Sequence, residues 1–236
     1  MTDLPNLGIV MVTYKRTNLA VETVRSFSEN LVYPKELRQW YIADDGSPAE
    51  HVKAITDELD KHGEKLYGFH NEKFGTGYNA GLGWNRGLLK GHEISPVVLW
   101  LEDDWELRQP LDVTPYVELL MADDVKLPDG TPVDVGMVRL AHLAIGSKVM
   151  IVGYRGRHYL NYLKETQYAY AGNPHLRHRK FSEAYGMFVE DRNPGEMELA
   201  MDAAFQAKAD GPLIWRPADI SGWGIIGHLG MEKSWE

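Results

Sequence analysis

Three consecutive carboxylates, Glu102-Asp103-Asp104, stand directly after the apolar run Val97-Val98-Leu99-Trp100-Leu101. Five apolar residues in a row, opened by Pro96, read as a strand covered on both faces, as in a parallel sheet. Ligands of open parallel sheets bind beyond the carboxyl ends of the strands, which is where these acids emerge. Neighbouring carboxylates withdrawn from water repel one another, and a cation or protons must offset that cost. A divalent metal meets the need, and a metal at a strand end points to a phosphate ligand.

Two further loops fall on the same rim. Val12-Thr13-Tyr14-Lys15-Arg16 ends the first apolar run, and Asp44-Asp45-Gly46-Ser47 ends the second. A carboxylate there accepts a hydrogen bond from the imide N–H of a uracil-like base, while Tyr14 offers a face for the base to stack on. Taken alone, residues 44–47 equally read as a plain turn with Asp44 as a helix cap. A later stretch, Gly227-His228-Leu229-Gly230-Met231-Glu232-Lys233-Ser234-Trp235, offers an imidazole for a metal. It also offers a glycine that lets backbone amides approach phosphate and a lysine for charge on a leaving group.

The elements that must carry these loops alternate in the first hundred residues. Leu7 to Val12 reads as a strand, and Asn18 caps a helix with Leu19, Val21, Val24, Phe27 and Leu31 on one face. Trp40 to Ala43 is the second strand, and Pro48 opens a helix presenting Val52, Ile55 and Leu59. Lys65 to Phe69 is a third strand, and the glycine-rich stretch Gly75 to Gly87 leads to the acidic strand. Alternation of this kind predicts an α/β fold, a doubly wound, mainly parallel sheet flanked by helices. Beyond residue 105 the pattern loosens, with short strands over 135–140 and 149–154 and helices near 177–185 and 196–209. One domain is expected over 1–236, with 1–105 as its nucleotide-binding half and 106–236 as its acceptor half.

Composition narrows the chemistry. There is no cysteine, so disulfides, thiolate zinc sites and thiol nucleophiles are excluded. Any metal is held by oxygen and imidazole, which favours Mg2+ or Mn2+. The formal net charge of −9 argues against non-specific nucleic-acid binding. No apolar stretch approaches a membrane span and the start lacks a signal pattern, so a soluble cytoplasmic protein is expected. Against the overall acidity, six Lys or Arg residues fall between Gly153 and Ser182 with Glu165 as the sole acid, interleaved with tyrosines. That segment either faces an anionic or ring-shaped acceptor or is a solvated face with half-buried tyrosines.

The succession Val12-Thr13-Tyr14, Ala43-Asp44-Asp45-Gly46-Ser47, Gly75-Thr76-Gly77 with Asn85-Arg86-Gly87, and Leu101-Glu102-Asp103-Asp104 resembles the nucleotide-binding half of family-2 glycosyltransferases of the GT-A fold. The resemblance implies that Thr13, Tyr14, Arg16, Asp44, Asp45, Gly75, Gly77, Asn85 and Asp103 contact a nucleotide sugar, with UDP the implied nucleotide. It implies that the acidic triplet is the Asp-x-Asp element, with Asp104 a direct ligand of Mn2+ or Mg2+ and Glu102 acting on the metal through water, or on the ribose. Glu at the first acidic place departs from the commonest pattern. Tyr185-Gly186-Met187-Phe188 followed by Gly195-Glu196-Met197-Glu198-Leu199 resembles the segment that carries the general base of inverting members. Glu196 occupies the base's place and Glu198 follows it. The His228–Trp235 stretch is similar to an element of metal-dependent transferases, best known from retaining enzymes, in which the His ligates the metal and the Lys, here Lys233, touches the diphosphate.

The expected activity is transfer of a sugar from a nucleoside diphosphate to an acceptor hydroxyl, with metal dependence and inversion. Four alternatives stand beside it: a retaining transferase, a sugar-nucleotide pyrophosphorylase, a non-catalytic sugar-nucleotide or glycan-binding module, and a phage-type transferase acting on modified bases of DNA. The pyrophosphorylase wants a glycine-rich loop after the first strand, and Thr13 to Thr17 has no glycine.

Overall fold

The computed structural model describes residues 4–140, 149–162, 170, 172–207, 214–215, 217–218 and 224–230. The first half is built as the alternation predicts. Strand β1 (Leu7–Thr13) is buried at all seven positions and leads to helix α1 (Thr17–Asn30). Asn18 lies inside that helix, not at its cap; the N-cap is Arg16, without a side-chain cap bond. A short β2 (Leu31–Val32) precedes β3 (Arg38–Asp44), α2 (Ala49–Lys61, N-cap Pro48) and β4 (Leu66–Asn71).

Helix α3 (Thr76–Ile94) runs through the glycine-rich stretch that sequence reading leaves unassigned. Glycine weakens a helix by up to about 1 kcal/mol per residue, so tertiary packing must supply the compensation. It does so by close approach. A methyl group placed on Gly91 would lie 2.6 Å from Val10 Cγ2 and 2.8 Å from Val98 Cγ2, and one on Gly87 would lie 2.9 Å from Ala43 Cβ. The glycines let α3 sit down on three strands at once.

After α3 come β5 (Val97–Glu102), β6 (Trp105–Leu107), β7 (Leu111–Asp112) and α4 (Thr114–Met121). The second half holds β8 (Asp134–Val135), β9 (Met137–Arg139), β10 (Val149–Tyr154), β11 (Arg157–Tyr162) and β12 (His175–His178). Helices α5 (Arg179–Tyr185) and α6 (Pro194–Ala207) follow, then β13 (Ile214–Trp215), β14 (Pro217–Ala218) and β15 (Ile226–His228).

One sheet with strand order β10-β11-β14-β9-β12-β5-β1-β3-β4 joins both halves. Its β5-β1-β3-β4 portion is parallel, and β12 enters antiparallel to β5, pairing Trp100 with His175. Two apolar layers flank the sheet. One, under α1, α2 and α4, includes Ile9, Phe27, Trp40 and Leu99; the other, under α3, α5 and α6, includes Val10, Trp84, Trp100 and Phe181. Burial of both faces explains the unbroken apolar runs of β1 and β5, where each Val, Leu or Ile contributes roughly 1.5–3 kcal/mol. No helix among the described residues is long and apolar enough to cross a membrane.

Candidate active site

Parallel register fixes where the loops emerge. Thr13 pairs with Asp44, and Val12 pairs with both Ala43 and Glu102, so β1, β3 and β5 end together. Between them lies an open cleft lined by Thr13, Tyr14, Asp45, Phe74, Trp84 and Glu102, among others. The three rim segments singled out from sequence meet at this one place.

Asp103 is the buried hub. Its Oδ2 accepts from Thr13 Oγ1 at 2.7 Å and from the Tyr14 amide at 3.2 Å, and Oδ1 accepts from Arg16. Burial pushes its carboxyl up to about 6, although Arg16 and Thr13 pull the other way. Arg16 also donates to Asp104 Oδ2 at 2.6 Å. Burial works against the Arg16 charge, yet Asp103 and Asp104 more than offset it, and its pKa is raised.

The Asp44-Asp45 turn is more occupied than its sequence suggests. Asp44 accepts from the Ser47 amide at 2.8 Å and from the Ser47 hydroxyl at 2.5 Å, which is the turn-capping reading. Asp45 accepts at Oδ1 from the amides of Phe74 and of Gly75, the latter at 2.9 Å, and so ties the entry of α3 to the rim. Gly75 has φ +85° at the N-cap of α3, a left-handed conformation that favours glycine, and nothing stands within 4 Å of where its side chain would be. Gly77 lies in the first turn of the same helix. Asn85 is buried and clamps Phe188 from both sides: its amide donates to the Phe188 carbonyl at 2.9 Å, and its Oδ1 accepts from the Phe188 amide at 2.8 Å. Its side chain is thus committed to the protein backbone.

The two glutamates of α6 part company. Glu196 is exposed, and with Asn193 it makes a reciprocal cap: its amide donates to Asn193 Oδ1 at 3.0 Å while Oε2 accepts from the Asn193 amide at 3.4 Å. Glu198, two residues on, points the other way and accepts from the Gly172 amide. A methyl group placed on Gly172 would lie 2.6 Å from Glu102 Oε1 and 2.8 Å from Glu198 Oε1, so both carboxylates border the same small volume. Loss of hydration raises Glu198, against the Gly172 amide and Arg139. It raises Glu102 well above the carboxylate range, helped by Asp104, Glu198 and Asp103. Trp84, Trp100 and Phe188, with ring centroids 5.2–5.3 Å apart, form the wall beside them.

His228 reaches the acidic triplet through strand pairing. β15 runs antiparallel to β6 with His228 opposite Trp105, and the Leu229 amide donates to the Asp104 carbonyl at 2.7 Å. His228 Nε2 lies 3.3 Å from Asp104 Oδ2, and its ring meets Trp105 edge-on at 4.9 Å. Asp104 Oδ1 is buried and has no hydrogen-bond partner among the described residues. An unpartnered carboxylate oxygen beside an imidazole fits a divalent cation that takes its remaining ligands from a diphosphate and water. No group of three metal-binding side chains occurs among the described residues. Lys233 and Trp223 lie outside the described residues, as does most of the 163–171 part of the basic, tyrosine-rich segment.

Sequence reading missed His51, His70, Phe74 and Arg139. His51 and Arg139 carry no motif, and only the tertiary structure brings them to the rim and to Glu198. His70 and Phe74 stand edge to face at 5.5 Å along the cleft, and a lone His before Asn71 gives no hint of it.

No protein-family model matches the sequence, and no curated protein matches it significantly. Solved structures share its fold. The mannosyltransferase PcManGT from Pyrobaculum calidifontis, in complex with GDP-Man and Mn2+, superposes with a TM-score of 0.57 at 16% identity, over 93% of this chain and 56% of that one. S. aureus TarS superposes with a TM-score of 0.58 at 13% identity, over 91% of this chain and 35% of that one. TarS 1–349 in complex with UDP-GlcNAc gives 0.56 at 11% identity, over 91% and 56%. The chain therefore has the α/β fold on which these sugar-nucleotide-binding proteins are built. It spans about a third to somewhat over half of their lengths.

Proposed function

We propose that this protein is a glycosyltransferase that moves a sugar from a nucleoside diphosphate to an acceptor hydroxyl with inversion. The observation that carries the reading is the meeting of three acidic or polar strand ends around one cleft, with the inward-facing Glu198 beside it, in a fold shared with complexes of GDP-Man and UDP-GlcNAc.

In this reading the base lies along Tyr14, His70 and Phe74, with Asp45 near its edge. Asp103, held by Thr13 and Arg16, sets the loop that receives the ribose and diphosphate. Asp104 and His228 would hold Mn2+ or Mg2+, which when bound neutralises charge on the leaving diphosphate. Glu198 takes the proton. The acceptor O–H gives its proton to the Glu198 carboxylate as the oxygen forms a bond to the anomeric carbon; the bond from that carbon to the diphosphate oxygen breaks, and the diphosphate leaves with the electron pair. A raised pKa suits this task, because a base closer to neutral draws the proton more strongly once ionised. Glu198 is preferred to Glu196 because Glu196 is exposed and engaged in capping its own helix. Glu102, facing Glu198, is assigned to the acceptor side and not to the metal.

Calorimetric titration with UDP, GDP and their sugars, with and without Mn2+, tests the donor site. Binding that strengthens with Mn2+ and is lost in Asp104→Asn is expected; metal-independent binding unaffected by that substitution overturns the metal role.

A further inference from the structure

His51, in the first turn of α2, is fully enclosed and touches three elements of the rim. Its Nε2 lies 2.8 Å from Thr13 Oγ1 at the end of β1, its Nδ1 lies 2.9 Å from Thr17 Oγ1 at the start of α1, and Nε2 stands 3.6 Å from Asp44 Oδ1 at the end of β3. Hydrogen counting fixes the roles. Thr13 has one hydroxyl hydrogen and donates it to Asp103 Oδ2 at 2.7 Å, a carboxyl group whose two oxygens also accept from the Tyr14 amide and from Arg16. Thr13 Oγ1 must then accept from His51, so the imidazole carries its hydrogen on Nε2. Burial lowers the His51 pKa, against the pull of Asp44, and keeps the ring neutral. Nδ1 is accordingly bare and accepts the Thr17 hydroxyl at 2.9 Å, a shorter contact than the 3.3 Å from that hydroxyl to the Lys15 carbonyl. The resulting chain, Thr17 to His51 to Thr13 to Asp103, runs in one direction with every donor used.

We propose that His51 is the positioning residue of the donor site: through Thr13 it orients the Asp103 carboxylate, and with it the Tyr14-Lys15-Arg16 loop that receives the nucleoside diphosphate. This rests on the donor-site reading above. His51 does not itself line the cleft but stands behind Thr13, which does, so its influence travels through the hydroxyl, as an outer partner orients an inner ligand. The geometry also explains why a threonine, and not a valine of equal shape, ends β1.

The test uses the full chain and whichever of UDP and GDP the wild type binds. His51→Phe fills the space without a donor, and His51→Gln places an amide N–H where Nε2–H stood. His51→Phe is expected to weaken nucleotide binding roughly tenfold and to raise KM for the donor at nearly unchanged kcat, with His51→Gln restoring most of the affinity. Thr13→Val and the double variant Thr13→Val/His51→Phe are expected to bind alike, because His51 acts only through that hydroxyl. Additive losses, or a Gln variant as weak as the Phe variant, overturn the proposal while leaving the donor site standing. Absence of nucleotide binding by the wild type overturns the donor site and this inference together. Independently of any variant's folding, histidine-selective 15N spectra of the wild type should show the Nε2–H tautomer with a slowly exchanging proton; the Nδ1–H tautomer overturns the assignment.

Discussion

Glu198 and Glu102 face each other across the backbone of Gly172, closely enough that a single methyl group on that glycine would touch an oxygen of each. They come from different halves of the chain, one from α6 and one from the end of β5, and loss of hydration raises both, Glu102 well above the ordinary glutamate value. Two carboxyl groups so placed favour sharing a proton or binding a hydroxyl between them.

Glu198→Gln is therefore expected to lower kcat by about 10²–10⁴ while leaving nucleotide affinity near the wild-type value. Glu196→Gln should keep kcat and cost at most about 1 kcal/mol of stability, since it touches only the cap with Asn193. Rates measured beside calorimetric binding separate the two; a normal turnover in Glu198→Gln places the base elsewhere.

Glycine substitutions should divide by what their methyl group meets. In Gly172→Ala the neighbours are the ends of two flexible side chains, so the protein folds but the carboxylates are pushed apart, and transfer falls at least about tenfold with little change in Tm. In Gly91→Ala the neighbours are the branched side chains of Val10 and Val98 inside the core, and overpacking should cost about 1–3 kcal/mol. Thermal melts and initial rates of both variants check the contrast.

Acid should destabilise the fold through His175, which is fully buried against Trp100 and whose pKa burial lowers to about 3. The unfolded chain binds a proton at this histidine below about 6.5, and the folded chain does not. Its stabilising contribution is thus complete above about pH 6.5 and is lost as pH falls, by about 1.4 kcal/mol per unit. Asp103, raised to about 6, has the opposite sign: its protonation favours the folded state, so its effect is removed by comparing variants. The stability gap between wild type and His175→Phe should shift in favour of the variant by about 1.4 kcal/mol per pH unit between 6.5 and 4, read by urea unfolding; a gap independent of pH refutes the buried neutral histidine.

The alternating strands and helices of the first half were legible because burial on both faces writes continuous apolar runs, and α1 and α2 carry apolar residues at helical spacing. Helix α3 was not. Its glycines lower helix propensity, and the reason for them, contact with Val10, Ala43 and Val98, lies on strands far away in sequence. Likewise Asn85 reads as a polar residue in a nucleotide motif, but its amide is matched by the Phe188 backbone, about a hundred residues on.

By itself the sequence determined that Thr13, Asp44-Asp45 and Glu102-Asp103-Asp104 end neighbouring strands, because strand length and parallel pairing leave one rim for all three. It also determined that any metal would be held by oxygen and imidazole, because the chain has no cysteine. Only the tertiary structure decided which acid faces inward. Glu196 and Glu198 are separated by one residue on a helix, where a turn of about 200° puts them on nearly opposite sides, and the sequence does not say which side meets Gly172. The packing of α6 against α3 and α5 made that choice, turning Glu198 toward Glu102 and leaving Glu196 to water and its cap.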